Sequence, residues 1–211
     1  LLYLISDRLA LRRIPGKTEP EAAQIEAIRK ATRAGCQLVQ IREKDLNARA
    51  LYELARAAVA ASHPHGARVI VNDRLDVALA AGADGVHLRT TSCPAAEARA
   101  VVGSKGMNDF IIGVSTHSLA EARSAESGGA DFIVCGPLYD TPSKRAYGAP
   151  IGIENFAEIC GSVEIPVLAL GGIDLTNYQE PLRRGAAGIA AIRLFADQEK
   201  IKINIDTILH T

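Results

Sequence analysis

Eight short apolar runs recur along the chain, each followed by a stretch long enough for a helix, and this alternation restricts the fold more than any other feature. The runs are residues 1–6, 38–42, 68–73, 85–88, 110–116, 132–138, 166–172 and 188–195. They are rich in Val, Ile and Leu without polar alternation, as parallel strands covered on both faces are. Between them, stretches such as 21–34, 48–62 and 119–127 are amphipathic and Ala-rich, which predicts helices, and Thr18, Asn47 and Ser118 stand where N-caps belong. Gly35, Gly82 and Gly129 recur every 47 residues and Gly185 follows 56 later, each at a helix C-cap before a strand. A period of 47 is two βα units, so the spacing reads as quarters of an eightfold barrel. An open doubly wound sheet of eight parallel strands would be unusually wide, and solenoid repeats would resemble one another more closely. The expected fold is a single (β/α)8 TIM barrel with a parallel eight-stranded core, one domain over residues 1–211.

Composition agrees with that size and narrows the partners. At roughly 150 residues per domain, the chain suits one large α/β domain. Apolar residues are 48% of the chain and charged residues 23%, enough for a sizeable core. Lys and Arg total 24 and Asp and Glu total 24, a zero balance that excludes a general polyanion binder and so nucleic acid, while allowing a local anion site. Cys36, Cys93, Cys135 and Cys160 form neither a CxxC pair nor a zinc-finger spacing, and read as reduced thiols of a cytoplasmic protein. No apolar run approaches the roughly 20 residues of a membrane span. The chain opens at Leu1 rather than Met, which reads as a trimmed N-terminus. Isoleucines at 201, 203, 205 and 208 favour a final helix over residues 200–211.

In such a barrel the chemistry sits at the C-terminal ends of the strands, and these ends are polar. The second run ends in Gln40-Ile41-Arg42-Glu43-Lys44, the third in Asn72-Asp73-Arg74 and the fourth in His87-Leu88-Arg89. The fifth ends in Ser115-Thr116-His117-Ser118, the sixth continues through Gly136-Pro137 to Thr141-Pro142-Ser143-Lys144, and the seventh ends in Gly171-Gly172. Arg42, Lys44, Lys144, Arg89 and Arg193 bring positive charge, Thr141 and Ser143 hydroxyls, and Gly171-Gly172 backbone N–H groups suited to a phosphate. Asp73 is a candidate Mg2+ ligand between phosphates. Each residue also has a plainer reading. Glu43 and Lys44 could be an exposed ion pair, Asn72-Asp73 a helix cap, and His117 a structural hydrogen-bonder. His87 reads as packing within a buried strand, Asp84 and Asp131 as turn residues before strands, and His63 and His65 as loop residues. Convergence of six strand ends favours a phosphorylated small-molecule substrate.

At these residues the chain resembles the thiamine-phosphate synthases and their relatives, the thiazole tautomerases. The resemblance runs in order through Tyr3-Leu4-Ile5-Ser6-Asp7, Gln40 to Lys44, Val71-Asn72-Asp73-Arg74, Ala81 to Leu88, Gly113 to Ser118, Gly136-Pro137, Thr141 to Lys144 and Leu170 to Ile173. It implies a barrel enzyme joining hydroxymethylpyrimidine diphosphate to a thiazole phosphate, with pyrophosphate leaving before the thiazole nitrogen attacks. Its catalysis would be electrostatic. By position, Gln40 would contact the pyrimidine; Arg42, Lys44, Asn72 and Lys144 would hold the diphosphate; Asp73 would ligate Mg2+; and Ser115 would hydrogen-bond the leaving group. Thr141, Ser143 and Gly172 would grip the thiazole phosphate. Such barrels often associate as dimers, so a homodimer is the expected assembly.

Two positions depart from the family pattern. Where synthases have an Asp as second Mg2+ ligand, this chain has Ser92, with Arg89 nearby as a fixed charge for the diphosphate. Where they commonly have a Ser after two apolar residues of the eighth strand, it has Arg193, which could grip the thiazole phosphate bidentately or simply fill the mouth of the barrel. Both departures keep a second activity open. A tautomerase moves a proton without Mg2+ or diphosphate, and the resemblance places its histidine at His117. A non-catalytic phosphate-ligand-binding barrel is the third alternative.

Overall fold

A computed structural model describes residues 1–11, 19–141 and 149–210. The strands are β1 (Leu2–Ile5), β2 (Leu38–Ile41), β3 (Arg68–Asn72), β4 (Gly85–Leu88), β5 (Ile111–Thr116), β6 (Phe132–Cys135), β7 (Val167–Leu170) and β8 (Gly188–Ala191). All follow one another in a closed parallel barrel in chain order. The helices are α1 (Arg8–Leu11), α2 (Pro20–Arg33), α3 (Ala48–Ser62), α4 (Leu75–Ala81), α5 (Ala95–Gly103), α6 (Leu119–Ser127), α7 (Gly152–Cys160), α8 (Gln179–Arg183) and α9 (Ile201–Leu209). The fold is therefore the expected (β/α)8 barrel. By internal contacts the chain divides into two compact units, Leu1–Val86 with Ala191–Thr211, and His87–Ala190.

In the first unit, β1 pairs with β2 in the register Tyr3↔Leu38 to Ile5↔Gln40, and β2 with β3 from Leu38↔Arg68 to Ile41↔Val71. Every residue of β1 and β2 is buried, as expected for runs without polar alternation. Helix α3 buries Leu51, Leu54, Ala55, Ala58 and Ala61 on one face, and α2 buries Ala23, Ala27, Ile28 and Ala31. Small alanines on these faces let helix and sheet approach closely. Asn47 accepts the N–H of Ala50 at 3.0 Å and so caps α3. Thr18 lies outside the described residues. The C-terminal isoleucines do form a helix: Ile201 and Ile205, one turn apart, are buried while Ile203 is exposed.

In the second unit, β5 pairs with β6 from Gly113↔Phe132 to Thr116↔Cys135, β6 with β7 from Ile133↔Val167 and β7 with β8 from Leu168↔Gly188. Ser118 caps α6 by accepting the N–H of Glu121 at 3.2 Å. The four repeating glycines hold positive φ, from +67° at Gly82 to +107° at Gly35.

Three runs end two or more residues earlier than their apolar character suggested. The sixth stops at Cys135 because Gly136-Pro137 follows and proline has no N–H for a ladder. The seventh stops at Leu170 before the glycine pair. The eighth stops at Ala191, and Arg193–Phe195 form a 3-10 turn that buries Leu194 and Phe195. Arg193 thus sits in a turn after the strand, because an apolar run looks the same in a buried turn as in a strand.

The 47-residue repeat extends to two aspartates, which do more than make turns. Asp84, just before β4, accepts the N–H of Val69 at 2.7 Å, the Arg68 guanidinium at 3.0 Å and the His63 ring at 2.9 Å. Asp131, just before β6, accepts the N–H of Ile112 at 2.6 Å and the Arg99 guanidinium at 2.6 Å. Each ties the start of one strand to the loop entering another. Partial burial pushes the Asp84 carboxyl up, but the Val69, His63 and Arg68 hydrogen bonds outweigh it and hold it below its ordinary value of 3.8. A depressed folded value means that Asp84 stabilises the fold fully above its ordinary value and loses this contribution as pH falls through the folded one. Asp84→Ala, which leaves the Val69 N–H without its partner, is expected to cost about 1–3 kcal/mol at pH 7. Denaturant melts of wild type and variant should converge as pH is lowered below 3.8.

Candidate active site

The ends of β1 and β2 are joined by a buried polar network. The N–H of Ser6 donates to the Gln40 carbonyl at 2.9 Å. The Ser6 hydroxyl accepts the Arg42 N–H at 2.9 Å and donates to Glu43 Oε1 at 2.6 Å. Arg8, the first residue of α1, sends Nη1 to Glu43 Oε2 at 3.2 Å and to Asp45 Oδ1 at 2.6 Å, and Nη2 to Asp45 Oδ2 at 2.8 Å. Its Nε reaches Glu21 at 3.0 Å. The side chains of Arg8 and Glu43 are only 6% and 3% exposed. Glu43 is therefore not an exposed partner of Lys44: its carboxylate is buried and held by Ser6 and Arg8. Burial pushes the Glu43 carboxyl above its ordinary value, and the hydrogen bonds from Ser6 and Arg8 offset this only in part. The Asp45 hydrogen bonds raise the Arg8 guanidinium, against burial and with help from Glu21 and Glu43. With Glu43 and Asp45 bound to Arg8, Arg42 and Lys44 are the cations of this strand end, the first half-buried and the second exposed.

Gln40 is 1% exposed and donates through Nε2 to the buried Tyr3 hydroxyl at 2.7 Å. At the end of β3, Asn72 and Asp73 are half-buried. Asp73 holds φ +65°, the one positive φ outside glycine among the described residues. That conformation is sparsely populated for a side-chain-bearing residue, and such strain clusters at functional positions. The pair is not a helix cap: the residue at the N-cap of α4 is Arg74, whose guanidinium pairs with Asp76 at 2.6 and 2.8 Å.

Asp73 offers Mg2+ one hard carboxylate oxygen donor. Ser92 offers a hydroxyl that already accepts the Arg89 N–H at 2.8 Å. Among the described residues, no three His, Cys, Asp or Glu side chains gather as a metal site. A single carboxylate such as Asp73 suits an ion whose remaining ligands come from elsewhere, as from phosphate oxygens and water, rather than one caged by protein alone.

In the second unit, His87 is 3% exposed and its Nε2 lies 2.8 Å from the Ser115 hydroxyl, with its ring tilted against Phe132 at 6.1 Å between centroids. His87 does pack in its strand, but it also holds a candidate site residue. The exposed His117 directs both its N–H and its Nδ1 at Glu121 Oε2, at 2.7 and 3.1 Å. With Ser118 accepting from Glu121, this is a reciprocal cap on α6. His117 also lines a groove with Leu119, Asn155 and Glu158.

The β6 and β7 loops touch along their backbones. The N–H groups of Leu138 and Tyr139 donate to the carbonyls of Leu170 and Gly171 at 2.8 and 3.0 Å. A Cβ at Gly171 would stand 2.6 Å from Pro137 Cα, and one at Gly172 would stand 2.6 Å from Tyr139 Cβ. The glycine pair is thus required by close packing, whatever it binds. Thr141, at the end of this contact, is 6% exposed. Ser143 and Lys144 lie outside the described residues. Arg89 and Arg193 are exposed.

The residues missed from sequence were Ser6, Arg8 and the buried role of Glu43. Ser6-Asp7-Arg8 is itself a polar strand end, so reading the first run by the rule used for the others would have found it.

A family model described as thiamine monophosphate synthase matches residues 3–195. The chain belongs to this family. A Geobacter sulfurreducens relative named for the same synthase is 48% identical over 90% of this chain and 84% of its own length. The thiamine-phosphate synthase of Chlorobium limicola is 43% identical over 83% of this chain and 81% of its own. The solved thiamine phosphate pyrophosphorylase of Pyrococcus furiosus superimposes with a TM-score of 0.82 at 34% identity, covering 98% of this chain and 92% of that one. A 3-hexulose-6-phosphate synthase at 15% identity and a TM-score of 0.70 shares the fold alone.

The buried pair generates an asymmetric prediction. Arg8→Ala, which strands the Glu43 carboxylate, is expected to cost about 3–5 kcal/mol in a denaturant melt. Asp45→Asn, at a carboxylate 53% exposed, should cost under about 1 kcal/mol.

Proposed function

We propose that this protein is a thiamine-phosphate synthase, joining hydroxymethylpyrimidine diphosphate to thiazole phosphate with release of pyrophosphate. The family match across nearly the whole chain carries the reading. In the reaction the bond between the pyrimidine methylene and the diphosphate oxygen breaks, and pyrophosphate leaves with the electron pair. The thiazole nitrogen then gives its lone pair to that methylene. No strong base is needed; the barrier falls when the departing polyanion is stabilised by charges and donors already in place.

Arg42 and Lys44, with Asn72 and Lys144, would bind the diphosphate, and the network behind Glu43 supports this by fixing the backbone that carries the first two. Arg89 would add a fixed charge there. Gln40, its amide oriented by Tyr3, would meet the pyrimidine. Ser115 would donate to the leaving group, and Thr141, Ser143, Gly172 and Arg193 would hold the thiazole phosphate. Asp73 would hold Mg2+ beside the diphosphate, where the ion would offset negative charge on the leaving oxygens. Phosphorylated small molecules would be the partners, in a cytoplasmic homodimer. Four free cysteines suit a reducing compartment, and among the described residues no helix is long and apolar enough to cross a membrane.

One observation favours a second reading. His117 has a carboxylate behind Nδ1, the arrangement of a general base, as a metal-independent thiazole tautomerase would need.

An assay with both substrates and Mg2+ separates the two. A synthase should form thiamine phosphate and pyrophosphate, and EDTA should abolish turnover; a tautomerase should be indifferent to chelator. Lys144→Ala and Asp73→Asn are each expected to lower synthase turnover by at least about 100-fold, whereas His117→Ala should leave most of it. Loss confined to His117→Ala would overturn the assignment.

A further inference from the structure

His87 stands out because its buried ring reaches Ser115, the residue assigned above to the leaving group, from a neighbouring part of the same unit. The room for that ring is made by Gly113. A Cβ there would stand 2.9 Å from His87 Nδ1 and 2.3 Å from Phe132 Cζ, so glycine lets both rings lie against the strand. His87 is thereby packed with little rotational freedom, and its Nε2 is delivered to Ser115 Oγ at 2.8 Å.

A serine hydroxyl has a single proton, so the direction of this hydrogen bond decides what Ser115 can do. If Ser115 donated to His87, it would present only lone pairs to an approaching anion. If Nε2–H donates to Ser115, the hydroxyl proton is left for the anion, and the bond it makes is strengthened by the donor behind it. We infer that His87 is a positioning residue: it donates through Nε2 to Ser115 and turns the Ser115 O–H toward the diphosphate as it leaves. This rests on the synthase reading, in which Ser115 touches that group. His87 itself touches no substrate and acts through Ser115.

The test is a double-mutant cycle on the full chain, read by synthase kinetics and by calorimetric titration with Mg2+ and pyrophosphate. His87→Leu should lower kcat about 10–100-fold, as loss of a group orienting a functional side chain does. KM for thiazole phosphate should change little. His87→Gln, whose amide restores a donor, should recover at least about a third of wild-type kcat. In a Ser115→Ala background, His87→Leu should cost less than about twofold more. Equal losses in both backgrounds, or none in either, would overturn the inference. Thermal melting identifies a variant that fails to fold, in which case His87→Met replaces His87→Leu in the cycle. Wild-type protein that binds pyrophosphate without turnover would sink the synthase reading alone. The titration would then decide: weaker pyrophosphate binding in His87→Leu, but no further weakening in the Ser115→Ala background, sustains the inference. Wild-type protein that does neither overturns both.

Discussion

The ion pair between Arg8 and Glu43 is the interaction on which the organisation of the first strand ends depends. Two charges almost out of contact with water carry a large desolvation cost, offset only if each finds several partners in good geometry. Arg8 has three carboxylates, and Glu43 has a guanidinium, a hydroxyl and the Arg8 N–H within 3.3 Å. Neither β1 nor β2 can shift without stranding one of them. Because Glu43 lies between Arg42 and Lys44 in sequence, a buried anion fixes the backbone that carries both cations. Such anchoring reduces the reorganisation required when a polyanion binds.

The second unit uses packing where the first uses charge. Gly113 admits His87 and Phe132; Gly171 and Gly172 admit the β6 loop. In each case a missing Cβ lets another group approach the backbone more closely than any side chain would permit. Residues read in sequence as a phosphate motif are thus also conditions for assembling the loops that carry Thr141. Close packing by itself requires glycine at both positions.

Much of this was legible in one dimension. Alternating apolar runs and helical stretches, with glycines at a 47-residue interval, led to the eightfold barrel, and the polar strand ends located the candidate residues. Reading failed where an apolar pattern has two solutions. The stretch Arg193–Phe195 forms a turn that buries Leu194 and Phe195, although it reads as a continuation of β8. It failed also where charge was assumed to mean exposure. Glu43 looks like half of a surface pair with Lys44 because nothing local shows that Arg8, 35 residues earlier, is beside it.

Alone, the sequence determined the class of fold, the family and the residue types presented at each strand end, since periodicity, caps and motif order are local properties of the chain. Tertiary structure decided what those side chains are bound to. It buried Glu43 against Arg8, set His87 behind Ser115, made Asp84 and Asp131 brackets between strands, and turned Asp73 into a strained backbone position. Each of these depends on contacts between segments distant in sequence, and the strength of a charge or hydrogen bond follows from the burial that only those contacts create.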